Sequence, residues 1–174
     1  MKSRLPLPDV AGLSVEQRQI FDSILQTRGN LDGPFLAWLH SPGFARRAEQ
    51  LGAFCRYDTS LSLCESELLI LCVAAHHACV GEQQIHEPIA ARAGISALNI
   101  ERIRNGRVPE FSEERLNLLY HTATELLRSN RISGERFAEA EALLGRPALV
   151  EAVGVIGYYS LVAYTLNAFE MGVA

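Results

Sequence analysis

Charge is scarce in this chain, and several patterns that would commit it to nucleic acid, metal or export are missing. Of 174 residues 21% are charged and 48% hydrophobic, and the net charge is −4. No run of Lys and Arg occurs, so a phosphate backbone or an anionic membrane surface would find no partner; neither nucleic acid nor membrane is expected. The four cysteines, Cys55, Cys64, Cys72 and Cys79, form no C-x-x-C and no framework of the secreted type. They read as reduced thiols, which places the protein in a cytoplasm. No two stand at zinc-ligand spacing, so no metal is expected. The opening MKSRLPLPDVAGLS has two prolines and lacks the apolar core of a signal peptide. Alternation of period two is absent, as is an Asn-Gly turn joining strand-like runs, which leaves a sheet without a basis.

What is present is helical periodicity. The length suits one domain with a real core, and the chain reads as an all-α, single-domain bundle of about eight helices over residues 14–174, after an extended N-terminal lead-in at 1–13. Ser14 and Gln17 form a capping box for a helix over 14–28 that stops at Gly29, and Ser62 with Glu65 caps another over 65–75. Between them lie a short helix at 35–40 and a third at 44–57. Further helices are expected over 96–104, 113–130 and 134–145. Pro88 predicts a kink or late restart in the helix that follows residue 79. Residues 152–169 carry no charge over 18 positions, the bare length of a membrane span. Gly154, Gly157, three tyrosines and Asn167 in that run favour instead a central buried helix flanked by subunits.

Titratable groups crowd into residues 67–86, ELLILCVAAHHACVGEQQIH, where 20 positions hold two carboxylates, three histidines and two cysteines. Glu82 and His86 stand four apart, which on one helix sets their Cβ atoms about 6 Å from each other. A carboxylate beside an imidazole is a usable proton-transfer pair, although the same spacing also describes an ordinary solvated ion pair. Glu67 precedes Cys79 by twelve residues, roughly 18 Å along an unbroken helix. The weak helix formers around His76-His77-Ala78-Cys79 predict a break that folds the two halves together. Cys79 would then sit at a helix N-terminus, where the dipole and free N–H groups favour a thiolate.

The pattern E-x11-C-x2-E-x3-H, with the Ala-rich helix ending at Gly94, resembles the carboxymuconolactone decarboxylase family, which includes peroxidases of the alkyl hydroperoxide reductase D type. The likeness runs from about Phe35 to the C-terminus. Glu67, Cys79 and His86 match the Glu, first Cys and His of the peroxidase motif, and Glu82 stands in the slot of the second Cys. The resemblance implies an alkyl hydroperoxide reductase D-like fold, a homo-oligomer (dimer, trimer or hexamer), a small-molecule substrate and no cofactor. The leading expectation is acid/base chemistry, a decarboxylation or proton transfer on a small lactone or keto carboxylate. His86 is the proton carrier held by Glu82, and Glu67 is a second acid/base group. The alternatives are a thiol antioxidant enzyme working through Cys79, with peroxiredoxin activity, and a non-catalytic oligomeric binding protein. Trp38 and His77 are candidate substrate contacts, although a large aromatic such as Trp38 reads more readily as a core anchor. No Arg or Lys stands near the motif to hold a substrate carboxylate; Arg92 and Arg102 are the nearest in sequence.

Overall fold

In the computed structural model, which describes residues 2–172, local signals set most of the helix starts. Ser14 accepts from the Gln17 amide while the Gln17 side chain returns to the Ser14 amide, opening α1 (Val15–Arg28). Ser62 and Glu65 repeat the arrangement at α4 (Leu63–His76). Each box satisfies two N–H groups that the helix leaves orphaned. Gly29 and Asn130 close α1 and α7 in left-handed backbone. The other helices are α2 (Phe35–Trp38), α3 (Pro42–Ala53), α5 (Val80–Arg92), α6 (Ala97–Arg104), α7 (Glu114–Ser129), α8 (Gly134–Leu144) and α9 (Arg146–Ala168). Among the described residues there are nine α-helices, against the expected eight or so, and no strand beyond one isolated bridge between Lys2 and Gly172.

The bundle is built around α4. Every residue from Glu65 to Ala74 is buried, and the helix packs against α5, α6, α7 and α9. Full burial of each Leu or Ile there contributes about 1.5–3 kcal/mol. The centre therefore falls in the hairpin of residues 65–93, and the uncharged last helix packs on it with one side only. α9 buries Ala152, Val155, Ile156, Tyr159, Val162 and Ala163, yet Val150, Val153, Gly154, Gly157 and Tyr164 face outward. By length and composition α9 could cross a membrane, but more than half of its apolar stretch is packed inside the bundle.

Two expected boundaries move. The third helix stops at Ala53 and passes into a π-helical turn, Phe54–Asp58. α5 runs through Pro88 without a restart. Pro88 and Gln84, whose carbonyl loses its helical donor, are both exposed, so solvent can satisfy the group that the proline ring leaves free. The lead-in stays extended apart from one turn at Val10–Gly12, and runs along the end of α9 through the Arg4 amide to the Phe169 carbonyl.

Candidate active site

The break expected between Glu67 and Cys79 is present. α4 ends at His76, Ala78 adopts left-handed backbone (φ 48°) and Cys79 caps α5. The Cys79 amide reaches back to the Ala74 carbonyl, and Asn167 of α9 donates to the His77 carbonyl at 2.8 Å. This turn lays α5 against α4 and brings together side chains 19 residues apart.

His86 lies between two carboxylates. Its Nδ1–H donates to Glu67 Oε2 at 2.8 Å, and its Nε2 faces Glu82 Oε2 at 3.5 Å. All three side chains are at least 97% buried. The solvated ion pair is thereby ruled out, and the expected roles exchange. Glu67, across the hairpin, is the partner that holds the imidazole. Glu82, four residues away on the same helix, is too distant for a good hydrogen bond and faces the cavity. The hydrogen bond at Nδ1 fixes the tautomer and leaves Nε2 without a close partner. The Tyr159 ring meets His86 edge-on, centroids 5.2 Å apart. Burial raises the Glu82 carboxyl above its ordinary 4.5, against the pull of His86 and Arg56.

The cavity beside Nε2 is lined by Glu82, His86, Tyr158, Tyr159, Arg28 and Arg56, with Asp32 and Gly33 also on its wall. Its volume is about 20 Å³, room for about one water-sized group. Sequence reasoning missed the two arginines. Arg28 comes from the last turn of α1 and Arg56 from the π-helical turn, while Arg92 and Arg102 line no part of this cavity. Arg102 instead pairs with Glu110 at 2.9 Å. No spacing rule links positions 28, 56, 82 and 158. The nearest thing to a signal is the basic residue before the Gly29 stop, which reads as an ordinary helix end.

Other candidates lie elsewhere. Trp38 is buried, donates its indole N–H to Thr165 Oγ1 at 3.0 Å and packs edge-on against Phe35, Phe44 and Tyr158, as a core anchor does. His77 stands half-buried against Tyr164 and Ser160, away from the cavity. Cys79 is fully buried and lines none of the cavity. The amides of Gly81 and Glu82 lower its pKa, as the helix N-terminus predicts, but burial outweighs them and pushes the thiol up to about 11. Among the described residues no three His, Cys, Asp or Glu side chains converge where a metal ion would sit.

The architecture has counterparts among solved structures. The chain is similar to the alkylhydroperoxidase AhpD core of an uncharacterized peroxidase-related protein from Ralstonia eutropha JMP134, with a TM-score of 0.80 and 18% identity over 97% of this chain and 90% of that one. It is similar to an uncharacterized peroxidase-related protein from Silicibacter sp. TM1040, with a TM-score of 0.82 and 16% identity over the same shares. It also resembles the debrominase Bmp8, with a TM-score of 0.74 and 14% identity over 97% of this chain and 90% of that one. These likenesses establish the fold as alkylhydroperoxidase D-like. No family model and no curated protein matches the sequence.

Proposed function

We propose that the protein is a cofactor-independent acid/base enzyme on the alkylhydroperoxidase D-like fold. His86 Nε2 carries the proton, Glu67 orients the ring through Nδ1, and Glu82 is a second acid/base group beside the cavity, its carboxyl raised by burial. The observation that carries this reading is the buried 2.8 Å bond from His86 to Glu67, with the opposite nitrogen facing Glu82, and both His86 and Glu82 on the cavity wall. An imidazole oriented by one group and free at its other nitrogen is the arrangement a proton-transfer residue needs. On a small β-keto or lactone carboxylate, loss of CO2 leaves an enolate whose carbon takes a proton from Nε2 of the His86 imidazolium, and the neutral imidazole then regains that proton from solvent. The reverse step, removal of a proton beside a carbonyl, uses the same nitrogen as base.

The thiol reading has less support. Cys79 has no contact with the cavity, no second cysteine in the motif and a pKa near 11.

The test is solvent deuterium incorporation next to the carbonyl, followed by NMR, together with CO2 release, over a panel of small lactone and keto carboxylates. His86→Asn is expected to slow incorporation by about 10²–10⁴-fold, and Glu67→Gln to slow it by a comparable factor because the tautomer is no longer enforced. Incorporation that survives His86→Asn, or peroxide consumption that vanishes in Cys79→Ser, would overturn the proposal.

A further inference from the structure

We infer that Arg28, Arg56 and the Tyr158 hydroxyl form an anion subsite that receives the carboxylate of the substrate beside His86 and Glu82.

Four buried polar atoms at the cavity have no hydrogen-bond partner: Arg28 Nε and Nη2, Tyr158 Oη and Glu82 Oε2. Buried donors are almost always satisfied, so several unspent ones at one place need an explanation. None of the ion pairs among the described residues uses Arg28 or Arg56.

What the arginines touch instead is aromatic. The Arg28 guanidinium lies over the Phe35 ring at 4.6 Å and over Tyr57 at 5.9 Å, and Arg56 lies over the same Tyr57 ring at 5.6 Å. Stacking occupies the faces of a guanidinium, whereas its N–H donors lie in the plane. The rings therefore hold both cations in place without consuming a donor. A planar, two-oxygen acceptor matches that in-plane fork, and a carboxylate is such a group.

Gly52 of α3 makes the cradle possible. A Cβ there would lie 2.0 Å from Tyr158 Oη and 2.9 Å from Arg28 Nη2, so the missing side chain is what lets hydroxyl and guanidinium approach the same point. The acidic groups nearby do not neutralise the site. Asp32 is exposed, Glu82 is held toward its neutral form, and Glu67 is engaged by His86, while the buried Glu49 of α3 lies near enough to act on Tyr158 and leaves two arginines against that one carboxylate. The cavity, about 20 Å³, holds one water-sized group as it stands, so one carboxylate oxygen fits within it and the rest of the substrate lies outside.

The subsite deepens the acid/base proposal by naming the substrate class, and binding can be tested apart from turnover. The probes are pyruvate and its uncharged analogue pyruvamide, titrated in phosphate-free buffer and followed by protein NMR shifts. Pyruvate is expected to bind saturably, with pyruvamide about tenfold weaker or more. Arg28→Gln and Arg56→Gln should each weaken pyruvate by about tenfold or more while leaving pyruvamide unchanged. Arg28→Lys should recover part of the loss as a point charge without the fork. Gly52→Ala should weaken pyruvate through the displaced Tyr158 hydroxyl. Two positions on separate elements guard against one variant failing to fold.

Equal binding of pyruvate and pyruvamide, indifference to both arginine substitutions, or no saturable binding up to about 100 mM would each overturn the subsite. Pyruvate binding that survives His86→Asn while no probe exchanges deuterium would retain the subsite and sink the acid/base reading. Exchange that needs His86 but shows no rise in KM with either arginine variant would do the reverse.

Discussion

Glu82 imposes a cost that grows with pH. Burial raises its carboxyl above the ordinary 4.5; His86, Arg56 and Arg28 pull it down and Glu67 pushes it further up. A carboxyl with a raised folded pKa binds its proton more tightly in the native than in the unfolded chain. Its contribution to stability is therefore fully present below about pH 4.5 and is lost as pH rises through the folded value. Glu82→Gln, neutral at every pH, is expected to melt close to wild type near pH 4 and above it near pH 8. The gain is roughly 2–4 °C for each kcal/mol of charge burial removed. A gap between the two melting curves that does not widen with pH would show that Glu82 ionises freely. Cys79 makes a second residue-scale case. With a pKa of about 11, below about one thiol in a thousand is ionised at pH 7–8. A thiol reagent at pH 8 should leave Cys79 unlabelled in the native protein, and the partly exposed Cys64 should react first. Fast labelling of Cys79, read by mass spectrometry, would return it to the chemistry.

At the scale of the element, the α4–α5 hairpin is held at a backbone cost that can be measured. Ala78 turns the chain with φ 48°, a left-handed conformation that costs an L-residue with a Cβ about 1–2 kcal/mol. Glycine would relieve this and return about 0.5–1 kcal/mol to the unfolded chain as entropy. Ala78→Gly is thus expected to raise stability by up to about 1 kcal/mol, seen as a higher urea midpoint at unchanged slope. The hairpin also shows how far the sequence could be read. Capping at Ser14 and Ser62 and the break near His77 were legible because each depends on residues a few positions apart, and the crowding of Glu67, Glu82 and His86 was visible within 20 positions of sequence. Which carboxylate holds His86 was not, because an i,i+4 spacing brings Cβ atoms close but does not orient a ring. The pKa of Cys79 was misjudged for a related reason: the helix N-terminus is visible in sequence, while the burial that outweighs it belongs to the packed bundle. Arg28, Arg56 and Tyr158 were invisible as a group, since they converge from α1, the π-helical turn and α9, and only packing decides that.

The whole molecule leaves one face of α9 without charge. Val150, Val153, Gly154, Gly157 and Tyr164 lie outward on one side, over a span of about 21 Å along the helix. Val150 is 71% exposed and Tyr164 62%, an arrangement that an isolated bundle has little reason to keep. The homo-oligomer expected from the sequence would use this face, with the glycines allowing close approach and Tyr164 supplying area. Stable interfaces bury about 800 Å² per partner, so a helix face of this length must recruit neighbouring surface, and the exposed His76 end of α4 stands beside it through His77 and Tyr164. Light scattering on wild type is expected to give a multiple of 19.2 kDa. Val153→Glu and Tyr164→Glu would place buried like charges against each other in a two-fold contact and shift the mass toward the monomer, with helicity by circular dichroism unchanged. If the mass is that of a monomer from the start, or if neither substitution alters it, the stripe is not where copies meet. Because α9 also carries Tyr158 and Tyr159 into the cavity, activity measured on the dissociated variants would then tell whether the site is complete within one chain.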